Sequence, residues 1–245
     1  MRRAQFLETR TKAGRAGRFL AWFGLFAALG AVAVARAGRI TPAETLAVLC
    51  AGWAVSLAAL ALSAAGVVTV WREGARGGLA AVTGLVVSVL SLLWPAVAAL
   101  QLWRAPGEAD IVTDAADPPA FSPGFVTVSP PRPAGAGGEP GHGLALPLFL
   151  EKSPAAAAAD AAAAARALGW RTGPVIAGAG GAASFEAAAR GDILGMPQYV
   201  AVRVRPTADG AQLDVRVADP YGFLVPGSGR RRIQELQEAV RELAG

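Results

Sequence analysis

The sequence has only one cysteine and one histidine among its 245 residues. A single cysteine, Cys50, cannot form an intrachain disulfide or a cysteine cluster for a metal ion. The single histidine, His142, excludes metal sites that need a pair of histidines. It lies in the sequence Gly-Glu-Pro-Gly-His-Gly, where an isolated histidine is typically solvated, and we assign it no role. We therefore expect no metal ion and no cofactor.

Charged side chains are also missing from three long apolar runs, which cover residues 19–35, 45–71 and 79–103. An α-helix needs about 20 apolar residues to cross the hydrocarbon core of a bilayer, so these runs predict three transmembrane helices. Ion pathways and proton relays normally place ionisable groups at membrane depth. Their absence from the runs argues against a transporter or a pump.

Basic residues are distributed unevenly around the runs and predict the orientation of the chain. If the N-terminus is inside, the leader (residues 1–18) and the second loop place eight Lys and Arg residues in the cytoplasm, against three on the other side. Short loops rich in basic residues stay in the cytoplasm. The sequence therefore predicts an inner-membrane protein of a bacterium with a cytoplasmic N-terminus and a periplasmic C-terminal domain.

The first run has a second interpretation, because a basic leader and an apolar core precede the small-x-small sequence Ala35-Arg36-Ala37. This arrangement is also typical of a cleaved signal peptide. Cleavage would leave two membrane spans, and the C-terminal domain would still be outside. Only the number of anchoring helices differs between the two interpretations.

The net basic charge belongs to the membrane part of the chain. Residues 1–104 carry 11 Lys and Arg and three acidic residues, whereas residues 105–245 carry 12 basic and 15 acidic residues. A basic surface on the C-terminal domain is therefore not expected, and the charge pattern indicates membrane orientation. We expect no nucleic-acid partner.

Two tryptophans lie at a similar depth in neighbouring runs. Trp53 is eight residues inside the second run and Trp94 is nine inside the third, counted from the ends predicted to face the periplasm. One interpretation is packing of the two rings next to Pro95, and the other is a platform for a lipid, a pigment or a partner helix. Small residues recur along all three runs, which predicts close helix packing.

Proline and glycine interrupt every regular pattern between residues 105 and 146, which predicts an extended linker. The outer domain is predicted to cover residues 147–245. Ser153-Pro154 predicts the start of an alanine-rich helix that Gly169 ends. An amphipathic helix is predicted from Arg230 to Leu243, with its apolar positions at Ile233, Leu236, Val240 and Leu243.

Alternating side chains predict strands at residues 182–189, 199–205 and 211–217, the last two joined by a hairpin at Asp209-Gly210. Val202 and Val215 are predicted to face the core. An exposed, charged face is predicted to carry Arg203, Arg205, Asp214 and Arg216. The predicted fold class is a membrane protein with three N-terminal transmembrane α-helices, followed by a small α+β domain whose antiparallel sheet has helices on one face.

The chain combines this three-span anchor with an aspartate-rich sequence from Asp110 to Phe121 and with Ala167-Leu168-Gly169-Trp170. A hairpin of alternating Val and Arg and a helix with Arg-Arg-Ile follow. In this combination, which covers nearly the whole chain, it resembles the bacterial domain-of-unknown-function family 1499. The resemblance implies an inner-membrane protein whose outer domain has no established biochemical activity.

The loop before the last helix departs from that family. Where the family favours Ser, Arg, Ser, Asp and Asn, this chain has Asp219, Pro220, Leu224, Val225 and Gly229, and it keeps Gly222 and Gly227. Paired aspartates before the first hairpin strand are also missing, since the sequence there is Leu194-Gly195-Met196-Pro197-Gln198-Tyr199. The comparison implies that a polar function of the family's loop is lost. The apolar loop then either folds inward or contacts a partner.

The acidic residues Asp214, Asp219, Glu186 and Asp192 have no evident catalytic partner in the sequence, so we expect no enzyme and no catalytic residues. The first hypothesis is a non-catalytic accessory or scaffolding subunit of an inner-membrane complex. Its expected partners are the lipid bilayer and an integral membrane protein. The residues predicted to contact the partner are Tyr221, Phe223, Leu224, Val225, Trp53 and Trp94. The alternative is a periplasmic module that binds a small ligand or a lipid on the charged hairpin face.

Overall fold

The computed structural model of the protein describes residues 12–104, 110–125, 145–191, 193–225 and 227–244. The chain divides into two compact units, Met1–Val97 and Ala98–Gly245. Much of the predicted leader and linker lies outside the described residues, as do His142, Asp192 and Pro226. The backbone of Phe223 is described but its side chain is not.

Three long helices follow one another in the first part of the chain: α1 (Lys12–Arg36), α2 (Pro42–Glu73) and α3 (Gly78–Arg104). All three are long and apolar enough to cross a membrane, which agrees with the three predicted spans. All three extend beyond the predicted apolar runs at both ends. At the start of α2, the Thr41 hydroxyl accepts the Glu44 N–H, and the Glu44 carboxylate accepts the Thr41 N–H at 2.7 Å.

Small residues form the contact faces of the first two helices. The buried residues of α1 recur every three or four positions, at Gly14, Gly17, Ala21, Gly24, Ala28, Ala31 and Ala35. Those of α2 follow the same spacing, at Thr45, Leu49, Gly52, Ser56, Ala59, Ser63 and Gly66. A mean spacing of about 3.5 residues keeps one narrow face toward the neighbouring helix. The small side chains let the backbones approach closely, as predicted.

The third helix packs into the same unit through equally close contacts. A Cβ atom built on Gly17 of α1 or on Gly84 of α3 would lie 2.4 Å from the Ser63 hydroxyl oxygen, so this serine lies where all three helices meet. The rings of Trp53 and Trp94 pack edge to face, with centroids 6.1 Å apart and planes at 82°. The two indoles therefore pack on each other, as the first interpretation of these residues predicted.

The second unit contains a seven-stranded antiparallel sheet. Its strands are β1 (Asp110–Val112), β2 (Leu148–Leu150), β3 (Arg171–Thr172), β4 (Ile176–Ala177), β5 (Ala183–Arg190), β6 (Pro197–Thr207) and β7 (Gly210–Ala218). The order is β1-β7-β6-β5-β3, with β2 also beside β7 and β4 also beside β5. The predicted antiparallel α+β arrangement is thus present, with more strands than the sequence pattern indicates.

The hairpin lies where Asp209-Gly210 predicted it. Thr207 pairs with Gly210, which leaves Ala208 and Asp209 as the two connecting residues. Gly210 has φ 151°, and a Cβ there would lie 2.2 Å from the Leu150 carbonyl oxygen. Only glycine therefore allows β2 to pass beside the start of β7.

Two helices complete the domain: α4 (Pro154–Ala167) and α5 (Ser228–Ala244). Ser153 caps α4 by accepting the Ala156 N–H, and the buried alanines of α4 pack against the sheet. Ile233, Leu236 and Val240 of α5 are fully buried in the same core, as predicted. Leu243 is 52% exposed, so the apolar face of α5 ends one turn before the sequence pattern does.

Candidate functional site

Residues 110–125, here called the strap, belong to the sheet domain and not to a linker. Asp110–Val112 forms β1, which pairs with β7 so that Ile111 lies opposite Val217. The Thr113 hydroxyl accepts the Val215 N–H at 2.9 Å, and the Thr113 N–H donates to the Val215 carbonyl at 3.0 Å. The linker prediction is therefore wrong for these residues. A strand of three residues beside a proline pair is too short to show a regular period.

The strap covers the sheet face that the sequence predicts to be exposed. Val202 and Val215 are core residues, which confirms the predicted register. Asp214 on the opposite face is fully buried, however, and the side chain of Arg203 is only 19% exposed. The prediction that these two residues are exposed is wrong. Alternation identifies the side on which a residue lies, but it does not show that another segment covers that side.

One arginine of the covered face holds the start of the strap. Arg216 donates to Asp110 through Nε at 3.0 Å and through Nη2 at 2.7 Å, which is a bidentate ion pair. The guanidinium also lies over the Phe121 ring, 5.0 Å from its centroid. Burial raises the pKa of Asp110, and the hydrogen bonds and charge of Arg216 offset only part of that rise.

The other two arginines hold the middle of the strap. Arg205 Nη2 lies 2.6 Å from Asp114 Oδ2 and 2.7 Å from Asp214 Oδ2. Arg203 Nη1 lies 2.8 Å from Asp117 Oδ2. The three aspartates of the strap therefore pair with the three arginines of the hairpin, and the buried Asp214 shares Arg205 with Asp114.

Asp114 is stabilised as a carboxylate. Burial by itself raises its pKa, but the backbone N–H of Asp117, the Arg205 guanidinium and the backbone N–H of Ala116 outweigh that effect and lower the pKa. Because the pKa is lower in the folded state than in the unfolded state, Asp114 stabilises the domain above the ordinary aspartate pKa. That stabilisation is lost as the pH falls through the folded pKa.

Asp110 and Asp114 should therefore respond differently to acid. Replacing Asp114 with Asn should reduce the loss of stability as the pH falls below the ordinary aspartate pKa of about 4, because the titrating group is gone. Replacing Asp110 with Asn should not reduce this loss. Its raised pKa gives a stabilisation that is present below the ordinary aspartate pKa and lost as the pH rises through the folded value. Thermal unfolding of the two variants across this pH range checks the difference. Equal acid profiles would contradict it.

A cleft of about 360 Å³ lies between the strap and the neighbouring strands β4, β5 and β6. Its polar lining residues are Asp117, Ser122, Ser184, Glu186 and Arg203. The Ser122 N–H donates to Glu186 Oε1, which joins the strap to β5 at the cleft. The rest of the lining is mostly apolar and includes Pro118, Pro119, Phe125, Pro174 and Ile176.

The loop before α5, which the sequence predicts as a partner contact, is partly folded inward. Leu224 is only 2% exposed, which makes it a core residue and removes it from the predicted contacts. Tyr221 and Val225 are half-buried. A cavity beside this loop measures about 20 Å³, which is room for one water molecule and not for a larger ligand.

Asp219 organises this loop through a network that the sequence pattern does not reveal. Its carboxylate accepts the Gln198 Nε2–H at 2.6 Å, the Ser228 hydroxyl at 2.7 Å and the Tyr221 N–H at 3.1 Å. Gln198 in turn accepts the Arg232 Nε–H at 3.0 Å. The contact from Asp219 to the N–H two residues later is an Asx turn, and an Asp-Pro pair in a loop is its sequence signal.

The acidic residues considered as catalytic candidates are placed in different surroundings. Asp214 pairs with arginines, Asp219 binds polar loop residues, and Glu186 lies in the cleft. Asp192 is outside the described residues. Within the described part of the chain, no group of three or more His, Cys, Asp or Glu residues could hold a metal ion.

The fold and the site define a class of protein: three helices that indicate a membrane location, followed by an antiparallel sheet domain with a ligand-sized cleft. No protein-family model, curated protein or solved structure matches the chain. The resemblance to family 1499 therefore stays a prediction.

Proposed function

We propose that this protein is a non-catalytic binding module of the bacterial inner membrane, similar to family 1499, with a cytoplasmic N-terminus and a periplasmic outer domain. In this proposal the three helices anchor the chain, and the cleft beside the strap takes a small ligand. The observation that carries the proposal is the cleft itself. Its volume of about 360 Å³ and its mixed lining of apolar side chains and five polar or charged ones fit a site for a small molecule.

Filling the cleft should remove the ligand without disturbing the fold. Ser184 lines the cleft on β5, and a phenylalanine there would occupy space that the ligand needs. The full chain, extracted from membranes in mild detergent, should carry a small adduct in native mass spectrometry, and the Ser184→Phe variant should lack it. Thr207→Phe, at the exposed end of the hairpin, is the matched control and should keep the adduct. An adduct that survives in Ser184→Phe would contradict the proposal.

The accessory-subunit function is the second candidate, and a different surface supports it. On the edge strand β2 and just before it, Phe149 is 64% exposed and Leu146 is 83% exposed. Exposed apolar side chains beside a sheet edge are typical of contact surfaces. The apolar loop before α5 also predicted this function, but the burial of Leu224 weakens that support. In the same mass measurement, co-purification of a membrane protein in fixed stoichiometry, lost in Phe149→Ser, would favour this second function.

The orientation has its own test. A reporter enzyme that is active only in the periplasm, fused after Gly245, should be active because the basic residues favour a cytoplasmic N-terminus. The same reporter fused after Arg76, in the connection between α2 and α3, should be inactive. A silent C-terminal fusion in a stably inserted protein would contradict the proposed topology.

A further inference from the structure

We infer that the cleft binds a small organic ammonium ion, an inference that rests on the proposed binding function and specifies its ligand. The charged residues that line the cleft are Asp117, Glu186 and Arg203. Arg203 and Asp117 neutralise each other, since Arg203 Nη1 lies 2.8 Å from Asp117 Oδ2 and Arg203 Nη2 also donates to the Asp117 carbonyl. Glu186 is the remaining charged residue of the lining.

The charge of Glu186 is not neutralised by a cation among the described residues. Its carboxylate accepts a hydrogen bond from the Ser122 backbone N–H, which is a neutral donor. Glu186 is only partly exposed, so water does not fully solvate it. A carboxylate in such a cleft favours a positively charged ligand that donates hydrogen bonds.

The same carboxylate disfavours an anionic ligand. The arginine of the cleft is already paired with acidic residues, because Arg203 also lies 3.5 Å from Asp114 and 3.6 Å from Asp214, although its buried Nε donates no hydrogen bond to a described residue. An anion would therefore meet Glu186 without a cation to balance it. The ligand is expected to be cationic or neutral, and the charge of Glu186 favours the cation.

The apolar walls indicate an organic cation and not a metal ion. Calcium requires six to eight oxygen ligands, and magnesium an octahedral set. The described residues offer no cluster of three or more acidic, histidine or cysteine side chains. Proline, isoleucine and phenylalanine side chains line most of the remaining surface, where the hydrocarbon part of an amine would displace water.

An aromatic ring supplies a second contact for such a ligand. Phe125 lines the cleft and packs edge to face on Tyr199, with ring centroids 6.2 Å apart. The edge contact with Tyr199 holds the phenyl ring in place. The face of an aromatic ring attracts ammonium groups within about 6 Å of its centroid. Glu186 and Phe125 both line the cleft, so a carboxylate and an aromatic ring, two groups that favour organic ammonium ions, are available to a ligand there.

Benzylamine is a suitable probe, with benzyl alcohol and benzoate as its neutral and anionic counterparts of similar size. Isothermal titration calorimetry on the full chain in detergent should show binding of benzylamine in preference to the other two. Glu186→Gln should weaken that binding on the order of tenfold or more, because a charge-assisted hydrogen bond is lost. The glutamine oxygen can still accept the Ser122 N–H, so the strap keeps its contact with β5. Glu238→Gln, on an exposed position of α5, is the control and should bind as the unmodified protein does.

The outcomes separate the ligand class from the proposed function. If benzyl alcohol or benzoate binds as tightly as benzylamine, and Ser184→Phe abolishes that binding, the cleft is a binding site but the ammonium inference is wrong. Failure of every probe to bind, while the native adduct remains, also overturns only the ammonium inference. If benzylamine binds equally well to Ser184→Phe and Glu186→Gln, the ligand lies elsewhere. The proposal that the cleft is the binding site is then also wrong. Absence of both probe binding and adduct overturns both proposals.

Discussion

Replacing Arg216 with Met should destabilise the sheet domain by about 3–5 kcal/mol, because it leaves the buried carboxylate of Asp110 without its partner. The side chain of Asp110 is fully buried, and that of Arg216 is 11% exposed. Burial already raises the pKa of Asp110 with the arginine present. Without the arginine, the carboxylate must either stay charged in the interior or take up a proton, and both cost free energy.

The double variant Asp110→Asn with Arg216→Met is the matched comparison. It removes both charges and should recover a large part of the lost stability, because no unpaired charge stays buried. Hydrogen exchange of peptides from the strap, measured on the full chain in detergent, reports the local stability of the segment that contains Asp110. Arg231→Met, at an exposed position of α5, should leave exchange in the strap unchanged. Equal destabilisation by the single and double variants would show that the ion pair does not hold the strap.

Replacing Gly84 with Leu should have a similarly large effect on the helical unit, with a cost of about 3 kcal/mol or more. A Cβ on Gly84 would lie 2.4 Å from the Ser63 hydroxyl oxygen and 2.8 Å from the Arg18 backbone nitrogen. The serine side chain can rotate away, but the Arg18 backbone cannot move without shifting α1. The larger side chain therefore has to separate the helices.

Gly30→Leu provides the control for Gly84→Leu. No atom lies within 4 Å of a Cβ built on Gly30, although this glycine also lies in one of the three helices. Thermal unfolding in detergent should show a lower midpoint for Gly84→Leu and little change for Gly30→Leu. If both variants unfold at the same temperature, the close packing of the three helices contributes little to their stability.

Local patterns in the sequence were sufficient for the elements themselves. The apolar runs predicted three helices, and period-two alternation predicted which side of β6 and β7 carries Val202 and Val215. The small residues predicted close helix packing, because short side chains let two helix backbones approach each other. These predictions depend only on residues a few positions apart.

The covering of the charged face depends on residues far apart in the sequence. The alternation of β6 and β7 contains no information about a segment that precedes them by about a hundred residues. One signal was present in the sequence: Asp110, Asp114 and Asp117 are opposite in charge to the three arginines of the hairpin. The apolar loop before α5 gave no such signal, because composition alone does not distinguish a buried Leu224 from an exposed one. The cleft was missed because the strap forms one of its walls.

The separation between Asp110 and Arg216 also has a consequence for the biogenesis of the protein. The two residues are 106 positions apart, so β1 is synthesised long before the strand with which it pairs. Until β7 has been made, Asp110 has no arginine partner and the backbone of β1 has no strand with which to pair. Contacts between distant residues form late and slow the folding of a domain. The sheet domain therefore completes its sheet only after β7 has been synthesised, when α1, α2 and α3 have already been made.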